Sequence, residues 1–390
     1  MYSFKNSRLR QFFRSRLFQF FEKIAETDDA KAIWSTILKG QLAWSPEFFL
    51  ERLPTTVAPY KDLGVSQYTT QPALRNDIII ITGRFRSGST LLWNLFRNIN
   101  GMTAYYEPFN ERRWFDPHVR GDRVDSTHKN VDEYWHEYGG LEALGQYYRE
   151  EWIKQNLYMN ASFWEPSMKR YVELMIEKAP ARPVLQFNRI DLRLPWFRQN
   201  FPNATILHIY RHPRDQWCST LGDIQCFPKD GTMKQFAGQD KFYLRMWAKD
   251  LKYHFPFLDE LFISHPYQLF YFIWKISYVF GRTFAHHSVA FEEILEDPDG
   301  QLRKLLRASR VECHDINKLK SLVEKPMVGK WKTYASEEWF QNHEAFCETT
   351  MANFFASVSS GGLAERCAKT TSVDRPDRQR VSHWVKRQNA

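Results

Sequence analysis

The sequence lacks the features typical of disulfide-stabilised, metal-binding and membrane-spanning proteins. Its 390 residues contain five cysteines, an odd number spread widely along the chain, and no pair of them has the spacing of metal ligands. The longest apolar stretch, "YQLFYFIWKISYVF" at 267–280, is too short to span a bilayer and contains Lys275. The first residues mix phenylalanines with basic residues and do not read as a signal peptide. We therefore expect a cytoplasmic protein that needs no metal.

The charge balance is basic, but no pattern of nucleic-acid recognition accompanies it. The chain carries 54 Lys and Arg against 45 Asp and Glu, a formal net charge of +9. Such an excess suits an anionic ligand or a membrane surface, and we expect no nucleic-acid partner because no basic stripe or recognition motif is present. Residues 2–24 predict an amphipathic basic helix that either packs against protein or contacts a membrane surface peripherally.

Short apolar runs predict a parallel sheet. Four of them, 77–82, 183–188, 204–210 and 287–291, are bounded by turn or charged residues, and a fifth short strand is expected at 103–106. Several lack period-two alternation, which is typical of strands that helices cover on both faces. Helical patterns follow them along the chain. The fold class is therefore α/β, a three-layer parallel sheet with flanking helices of the P-loop nucleotide-binding type, with helical insertions.

The chain is expected to have four parts. An N-terminal helical segment spans 1–75, and the nucleotide-binding domain spans 76–335. A C-terminal helical segment follows at 336–357. Residues 358–390, rich in Ser, Gly and basic residues, predict a flexible basic tail.

The stretch "IIIITGRFRSGSTLLWNLF" at 78–96 joins a buried strand to an amphipathic helix through a glycine-containing loop. Such a loop places backbone N–H groups at the positive end of the helix dipole, which makes an anion site. Gly88 permits close backbone approach, and Arg86 supplies a planar fork of donors. The lysine of the G-x-x-x-x-G-K-[ST] pattern is replaced, and the later strand is followed by arginine instead of the acidic magnesium partner of an NTPase. The other donors of the loop are the hydroxyls of Ser87, Ser89 and Thr90.

A second, separate anion site is predicted in "ILHIYRHPRDQWCSTLGD". Arg211 ends a strand, Pro213 suits the first turn of a helix, and Ser219 lies two turns into that helix. The arginine and the hydroxyl could close on one phosphate. A nucleotide with a phosphosulfate at its 5′ end and a phosphate on its 3′ oxygen, 3′-phosphoadenosine 5′-phosphosulfate, needs two such sites and no γ-phosphate machinery.

These motifs resemble those of the superfamily of sulfotransferases that depend on this nucleotide. "RSGST" at 86–90 resembles the 5′-phosphosulfate loop in its arginine version, and "RHPRDQWCS" at 211–219 resembles the 3′-phosphate motif. "VAFEEILEDPDGQLRKLL" at 289–306 resembles the strand and helix that follow. The resemblance keeps the family's order, covers roughly 77–335, and implies the phosphosulfate as donor co-substrate with no metal.

A fourth segment resembles the late loop that closes over the 3′-phosphate. This segment, "VGKWKTY" at 328–334, is the weakest of the four matches. The resemblance implies that Lys330 and Trp331 lie near the nucleotide.

The resemblance also implies a catalytic base. Glu107, in "YYEPF", resembles the glutamate that follows the phosphosulfate loop in the carbohydrate and tyrosylprotein branches, and Arg86 is expected to stabilise the charge that develops during transfer. Glu111 is the next candidate for the catalytic base. The structural alternative is a glutamate that pairs with an arginine such as Arg112 or Arg113.

The chain departs from the soluble aryl branch of the family at the third predicted strand. That branch has a catalytic histidine and a lysine there, whereas this chain has Gln186, Asn188 and Arg189. Arg189 is the candidate substitute for the missing positive group at the sulfuryl oxygens. His208, on a buried strand, is expected to be a core residue.

The expected function is transfer of a sulfuryl group to an acceptor hydroxyl. Two aromatic insertions, 109–182 and 227–286, are expected to build the acceptor site, whose lining suits a carbohydrate ring, a steroid or a lipid headgroup. Two alternatives remain at this point: a P-loop nucleotide-dependent kinase, and a non-catalytic nucleotide-binding or membrane-associated protein. The sequence predicts no oligomeric state.

Overall fold

In the computed structural model, the described residues up to Phe354 belong to one compact unit and those from Phe355 onwards to a second. Of the second unit, only 355–360 are described. The predicted helix at 2–24 and most of the predicted tail lie outside the described residues. The described residues are 75–128, 130–313, 315–323 and 328–360.

Five parallel strands form the sheet, in the order β2-β3-β1-β4-β5. Three consecutive residues of the central strand, Ile79, Ile80 and Ile81, are fully buried. Successive strand residues point to opposite faces, so both faces of the sheet are covered at this strand. The predicted parallel α/β fold is confirmed, with strand ends shifted by at most two residues. The strands are β1 Ile79–Thr82, β2 Met102–Tyr106, β3 Arg182–Phe187, β4 Thr205–Tyr210 and β5 His287–Ala290.

Helices connect and flank the strands, and several of them begin with proline, which is preorganised for the first helical position. The helices are α1 Ser89–Arg97, α2 Pro166–Lys178, α3 Leu194–Asn200, α4 Pro213–Leu221, α5 Met233–Phe236, α6 Leu244–Leu251, α7 Pro266–Phe284, α8 Phe291–Glu296, α9 Pro298–Ala308, α10 Ile316–Ser321, α11 Trp331–Tyr334 and α12 Glu337–Ser360. Short 3₁₀ helices lie at His136–Tyr138, Glu142–Gln146, Glu150–Ile153, Asp191–Arg193, Ile224–Cys226, Pro256–Leu258 and Glu260–Phe262.

The predicted insertions differ in structure. The first, 109–182, is mainly loops and 3₁₀ turns until α2, whereas the second, 227–286, contains α5, α6 and the 19-residue α7. Helix α12 continues three residues beyond the predicted end of the C-terminal helical segment at 357. No helix of the described residues is long and apolar enough to cross a membrane.

The strand order fixes where a ligand can bind. From β1 the chain builds β2 and β3 on one side, and then β4 and β5 on the other. In open parallel sheets, ligands bind at the carboxyl ends of the strands beside such a reversal. A candidate site residue or loop follows each of four strands directly: Gly83 follows β1, Glu107 follows β2, Asn188 follows β3 and Arg211 follows β4.

Candidate active site

The loop between β1 and α1 has the backbone of an anion cradle. Arg86 and Gly88 both have positive φ angles, 66° and 98°. Gly88 precedes the first turn of α1, and a Cβ atom at this position would lie 2.4 Å from the ring of Phe291. The backbone therefore approaches its neighbour as closely as only glycine allows.

The hydroxyls of the loop divide into two groups. Ser89 and Thr90 line a cavity in front of the loop. Ser87 is fully buried, does not line this cavity, and its Oγ has no hydrogen-bond partner among the described residues. Two of the three predicted phosphate-binding hydroxyls of the loop, those of Ser89 and Thr90, therefore line the cavity. The side chain of Ser87 is buried away from it.

The two predicted anion sites adjoin one another. Arg86 Nε donates a hydrogen bond to Ser219 Oγ at 3.0 Å, although the two residues are 133 positions apart. The two sites adjoin because α4 follows β4 and β4 pairs directly with β1. The helix that carries Ser219 and the glycine loop therefore share one edge of the sheet.

Arg211 is a buried cation whose charge is not balanced by a close carboxylate. Arg211 is 8% exposed. The nearest carboxylate is that of Glu292, 3.9 Å from Nε of Arg211, and this nitrogen makes no hydrogen bond among the described residues. Its guanidinium lies 5.0 Å from the ring centroid of Phe291. Burial lowers the pKa of Arg211, but a guanidinium stays protonated in proteins. A buried charge without a close counter-ion suits an anionic ligand.

The late loop docks on the helix of the second motif. The Gly329 N–H donates to the carboxylate of Asp215, at 2.9 and 3.0 Å, and the ring of Trp331 lies 6.4 Å from that of His212 with near-parallel planes. Neither Lys330 nor Trp331 lines the cavity. Their contact with the nucleotide remains a prediction.

Glu107 is buried in a hydrogen-bond network at the carboxyl end of β2. Its φ of 40° is unusual for a residue other than glycine and marks backbone held under strain. Asn188 Nδ2 donates to Oε1 at 2.5 Å, Asn110 Nδ2 donates to Oε2 at 2.7 Å, and Arg189 Nη1 lies 3.2 Å from Oε2. The carboxylate is thus held in one orientation while Glu107 still lines the cavity.

Glu107 does pair with an arginine, as the structural alternative held, but the partner is neither Arg112 nor Arg113. Arg113 pairs with Glu150 instead, and Arg112 donates to the carbonyl of Arg123. Sequence proximity suggested the two arginines that follow Glu107. The pairing of β2 with β3 brings Arg189 closer.

Arg189 bridges two carboxylates. Besides Glu107 it contacts Glu111, with Nη2 2.6 Å from Oε2, and its guanidinium lies 4.9 Å from the ring centroid of Phe85. Tyr243 OH donates to the other oxygen of Glu111 at 2.9 Å. Two carboxylates already balance this guanidinium, which holds both of them in place.

One cavity of about 840 Å³ joins these groups. Arg86, Ser219 and Arg211 contribute to it together with Glu107. Within the described parts of the chain, no group of three or more His, Cys, Asp or Glu side chains could hold a metal ion. Aromatic residues from the two insertions also line the cavity, namely Trp114, Tyr134, Phe242 and Tyr243.

A segment of the first insertion that sequence reasoning did not select lies against the phosphate loop. Thr127 Oγ1 accepts a hydrogen bond from Arg86 Nη1 at 3.1 Å, and Asp125 Oδ2 lies 3.8 Å from the same nitrogen. His128 Nε2 lies 3.4 Å from Thr90 Oγ1. The segment "RVDSTH" has no periodicity or motif, so nothing local in the sequence marks it.

Two histidines, one buried and one half-buried, differ in position. His208 is 2% exposed and lies on β4 as a core residue, where burial lowers its pKa to about 3. His128 lines the cavity, and burial, assisted by the positive charge of Arg86 and opposed by Asp125, lowers its pKa to about 4. Both imidazoles are therefore neutral near pH 7.

Comparison with known proteins places these observations in context. The model of the Sulfotransferase family matches residues 78–315. No curated protein matches the chain. Among solved structures, mouse sulfotransferase SULT7A1 complexed with PAP is 13% identical, with 76% of this chain and 90% of that chain covered and a TM-score of 0.37.

Two bacterial structures are similar to the same degree. Sulfotransferase STF9 from Mycobacterium avium is 12% identical, with 70% of this chain and 76% of that chain covered and a TM-score of 0.39. A sulfotransferase from Alicyclobacillus acidocaldarius is 16% identical, with coverage of 72% and 95% and a TM-score of 0.33. The match to the family model spans more than half of the chain, and it places the chain in this family.

Proposed function

The chain belongs to the sulfotransferase family, and from this premise we propose that it transfers a sulfuryl group from 3′-phosphoadenosine 5′-phosphosulfate to an acceptor hydroxyl. Glu107 acts as the general base, and the phosphosulfate loop with Arg86 holds the reacting end of the donor. Arg211 and Ser219 bind the 3′-phosphate. The observation that carries the proposal is the contact of Arg86 with Ser219 in a cavity that Arg211 and Glu107 also line.

The reaction is an in-line displacement at sulfur. The acceptor oxygen attacks, a new S–O bond forms, and the bond between sulfur and the 5′-phosphate oxygen breaks with its electron pair on the phosphate. The acceptor proton passes to Glu107, and the products are the sulfate ester and adenosine 3′,5′-bisphosphate. A positioned base of this kind contributes roughly 10²- to 10⁴-fold to the rate.

The network around Glu107 orients its carboxylate. Asn188 occupies Oε1, while Asn110 and Arg189 contact Oε2. When the carboxyl takes up a proton, its attraction to Arg189 falls, and the charge of Arg189 is then balanced by Glu111 alone.

Arg86 and the amides at the start of α1 stabilise the phosphosulfate. Preorganised donors of this kind are worth on the order of 10²- to 10³-fold each when they face developing charge. A loop that turns through positive φ at two positions can direct successive amides to one place. Arg86 can bridge the two ends of the donor because its Nε already contacts Ser219.

The acceptor is an alcohol bound between the insertions, and a carbohydrate suits the lining best. Aromatic rings from both insertions stand beside hydrogen-bonding groups such as Asn110 and Glu111 on the wall that carries Glu107. A sugar ring offers both an apolar face and hydroxyls. A steroid or a lipid headgroup would use the rings but fewer of the polar groups.

The test uses donor labelled in its sulfuryl group and a panel of glycans, phenols, steroids and lipids. Label is expected on glycans, and it should be lost in Arg86→Ala and in Glu107→Ala. Exposed Glu142, on the first insertion and away from the cavity, supplies the control variant Glu142→Ala. Label on no member of the panel, or full transfer by both cavity variants, would refute the proposed chemistry.

The kinase alternative has a direct test. The wild-type protein should bind adenosine 3′,5′-bisphosphate without magnesium and more tightly than ATP with magnesium. Tighter magnesium-dependent binding of ATP would instead favour phosphoryl transfer. The absence of a lysine at Ser89 and of an acidic residue at Arg211 argues against that outcome.

A further inference from the structure

The segment 125–128 of the first insertion lies across the phosphosulfate loop. Two consecutive residues of this segment contact the loop and the start of α1. Thr127 accepts a hydrogen bond from Arg86, and His128 contacts Thr90. Thr90 Oγ1 also lies 3.1 Å from the hydroxyl of Tyr106, the residue before the proposed base. His128 therefore stands on the side of the loop that leads to the base, and it lines the same cavity.

The neighbours of His128 favour a ring proton on Nε2. The backbone N–H of Asp125 donates to Tyr134 OH at 3.0 Å, so this phenol oxygen already acts as an acceptor. The same hydroxyl lies 2.6 Å from His128 Nδ1. The phenol stays protonated because burial raises the pKa of Tyr134, and at this short distance it can give its single proton to Nδ1. In a neutral imidazole with Nδ1 as acceptor, the proton is on Nε2.

The Nε2–H is thus a neutral donor on the wall of the cavity. Its distance to Thr90 Oγ1, 3.4 Å, is long for a hydrogen bond, so the donor is incompletely used by the protein. The charged groups beside the ring are Arg86 and Asp125, of opposite sign. A neutral donor can stabilise oxygens that gain charge without holding the product as firmly as a full cation would.

We infer that His128 is a catalytic residue whose Nε2–H donates to a non-bridging oxygen of the sulfuryl group during transfer. The inference rests on the proposed function. It supplies a sulfuryl-oxygen donor where the sequence offered only Arg189, whose guanidinium two carboxylates already hold.

The experiment compares two ligands that differ only in the sulfuryl group, namely the phosphosulfate donor and adenosine 3′,5′-bisphosphate. His128→Phe keeps a ring but removes the donor, and it should weaken donor binding about tenfold while changing bisphosphate binding less than twofold. His128→Gln, whose amide nitrogen can replace Nε2, should restore most of the donor affinity. Once an acceptor is known, His128→Phe should also lower kcat by about 10²-fold.

The controls separate this contact from other roles. Exposed His118 lies on the same insertion and does not line the cavity, so His118→Phe should leave both affinities unchanged. Equal weakening of both ligands in His128→Phe would overturn the inference, since it would indicate a contact with the 5′-phosphate or a distorted loop. Unchanged donor affinity would overturn it too.

A measurement on the wild-type protein covers the case in which the variant does not fold. In ¹⁵N-histidine spectra, the protonated Nε2 signal of His128 should shift with the phosphosulfate and remain in place with the bisphosphate. Identical shifts with both ligands would contradict the inference. A wild-type protein that binds neither ligand would refute the proposed function itself, which distinguishes the two failures.

Discussion

Replacing Arg211 by Met tests the 3′-phosphate site with least disturbance to the protein. Inside the protein Arg211 has a 3.9 Å approach to Glu292, a contact with an aromatic ring and the longer-range attraction of Asp215, but no close ion pair. Methionine keeps much of the apolar stem and removes a buried charge that lacks a close partner. The free energy of unfolding should therefore stay the same or rise, because an uncompensated buried charge costs stability.

The effect on ligand binding should be large and specific. A hydrogen bond to a charged group contributes about 1.5–3 kcal/mol, so Arg211→Met should weaken adenosine 3′,5′-bisphosphate roughly 10- to 150-fold. Adenosine 5′-monophosphate lacks the 3′-phosphate, and its affinity should change less than twofold. Titration calorimetry of both nucleotides against both proteins gives the comparison directly.

Arg214, in the first turn of α4 and three residues after Arg211, is the matched control. Its guanidinium is held by both oxygens of Glu344, at 2.8 and 2.9 Å, and it does not line the cavity. Arg214→Met should lower the melting temperature and leave the preference for the 3′-phosphate intact. Equal loss of both nucleotides in Arg211→Met, or loss of the preference in Arg214→Met, would refute the assignment.

Three further predictions concern the base, the loop and the core. Glu107→Gln should lower kcat by about 10²- to 10⁴-fold in single-turnover assays while bisphosphate affinity stays within threefold; an unchanged rate would exclude Glu107 as base. Gly88→Ala should abolish nucleotide binding because its Cβ would meet a ring at 2.4 Å, whereas Gly121→Ala, also at positive φ but with nothing within 4 Å, should only reduce stability slightly. The lowered pKa of buried His208 predicts full stability above about pH 6.5 and loss of stability as pH falls towards about 3, because the unfolded chain takes up a proton that the folded core refuses. Urea midpoints should fall less steeply with acid in His208→Gln than in His118→Gln, and equal slopes would contradict this account.

The fold followed from the sequence because its signals are local. Apolar runs such as "DIIIIT" and "ATILHIY" satisfy the pattern of a strand covered on both faces, and β1 and β4 formed within two residues of the predicted bounds. The loop after β1 was equally evident, because glycine and hydroxyl residues between a strand and a helix have few other structural uses. The extent of α12 was less predictable, since helix ends depend weakly on local sequence.

The partners within the site did not follow from the sequence. The structural alternative named Arg112 and Arg113 as partners of Glu107 because they are near it in the chain, yet Arg189 holds the carboxylate because β3 pairs with β2. His128 carried no signal, since it lies in an irregular loop whose position depends on packing against α1 and Tyr134.

The sequence by itself determined the elements and the chemistry that each could offer: a glycine loop, a strand-end arginine and a strand-end glutamate. Only the tertiary structure decided which of them meet. Arg86 and Ser219 are 133 residues apart and touch because β4 lies beside β1. Hydrophobic patterns and turn signals in a sequence depend on a few neighbouring residues, whereas the order of the strands depends on the packing of the whole sheet. Which residues meet in the site is therefore decided by the fold.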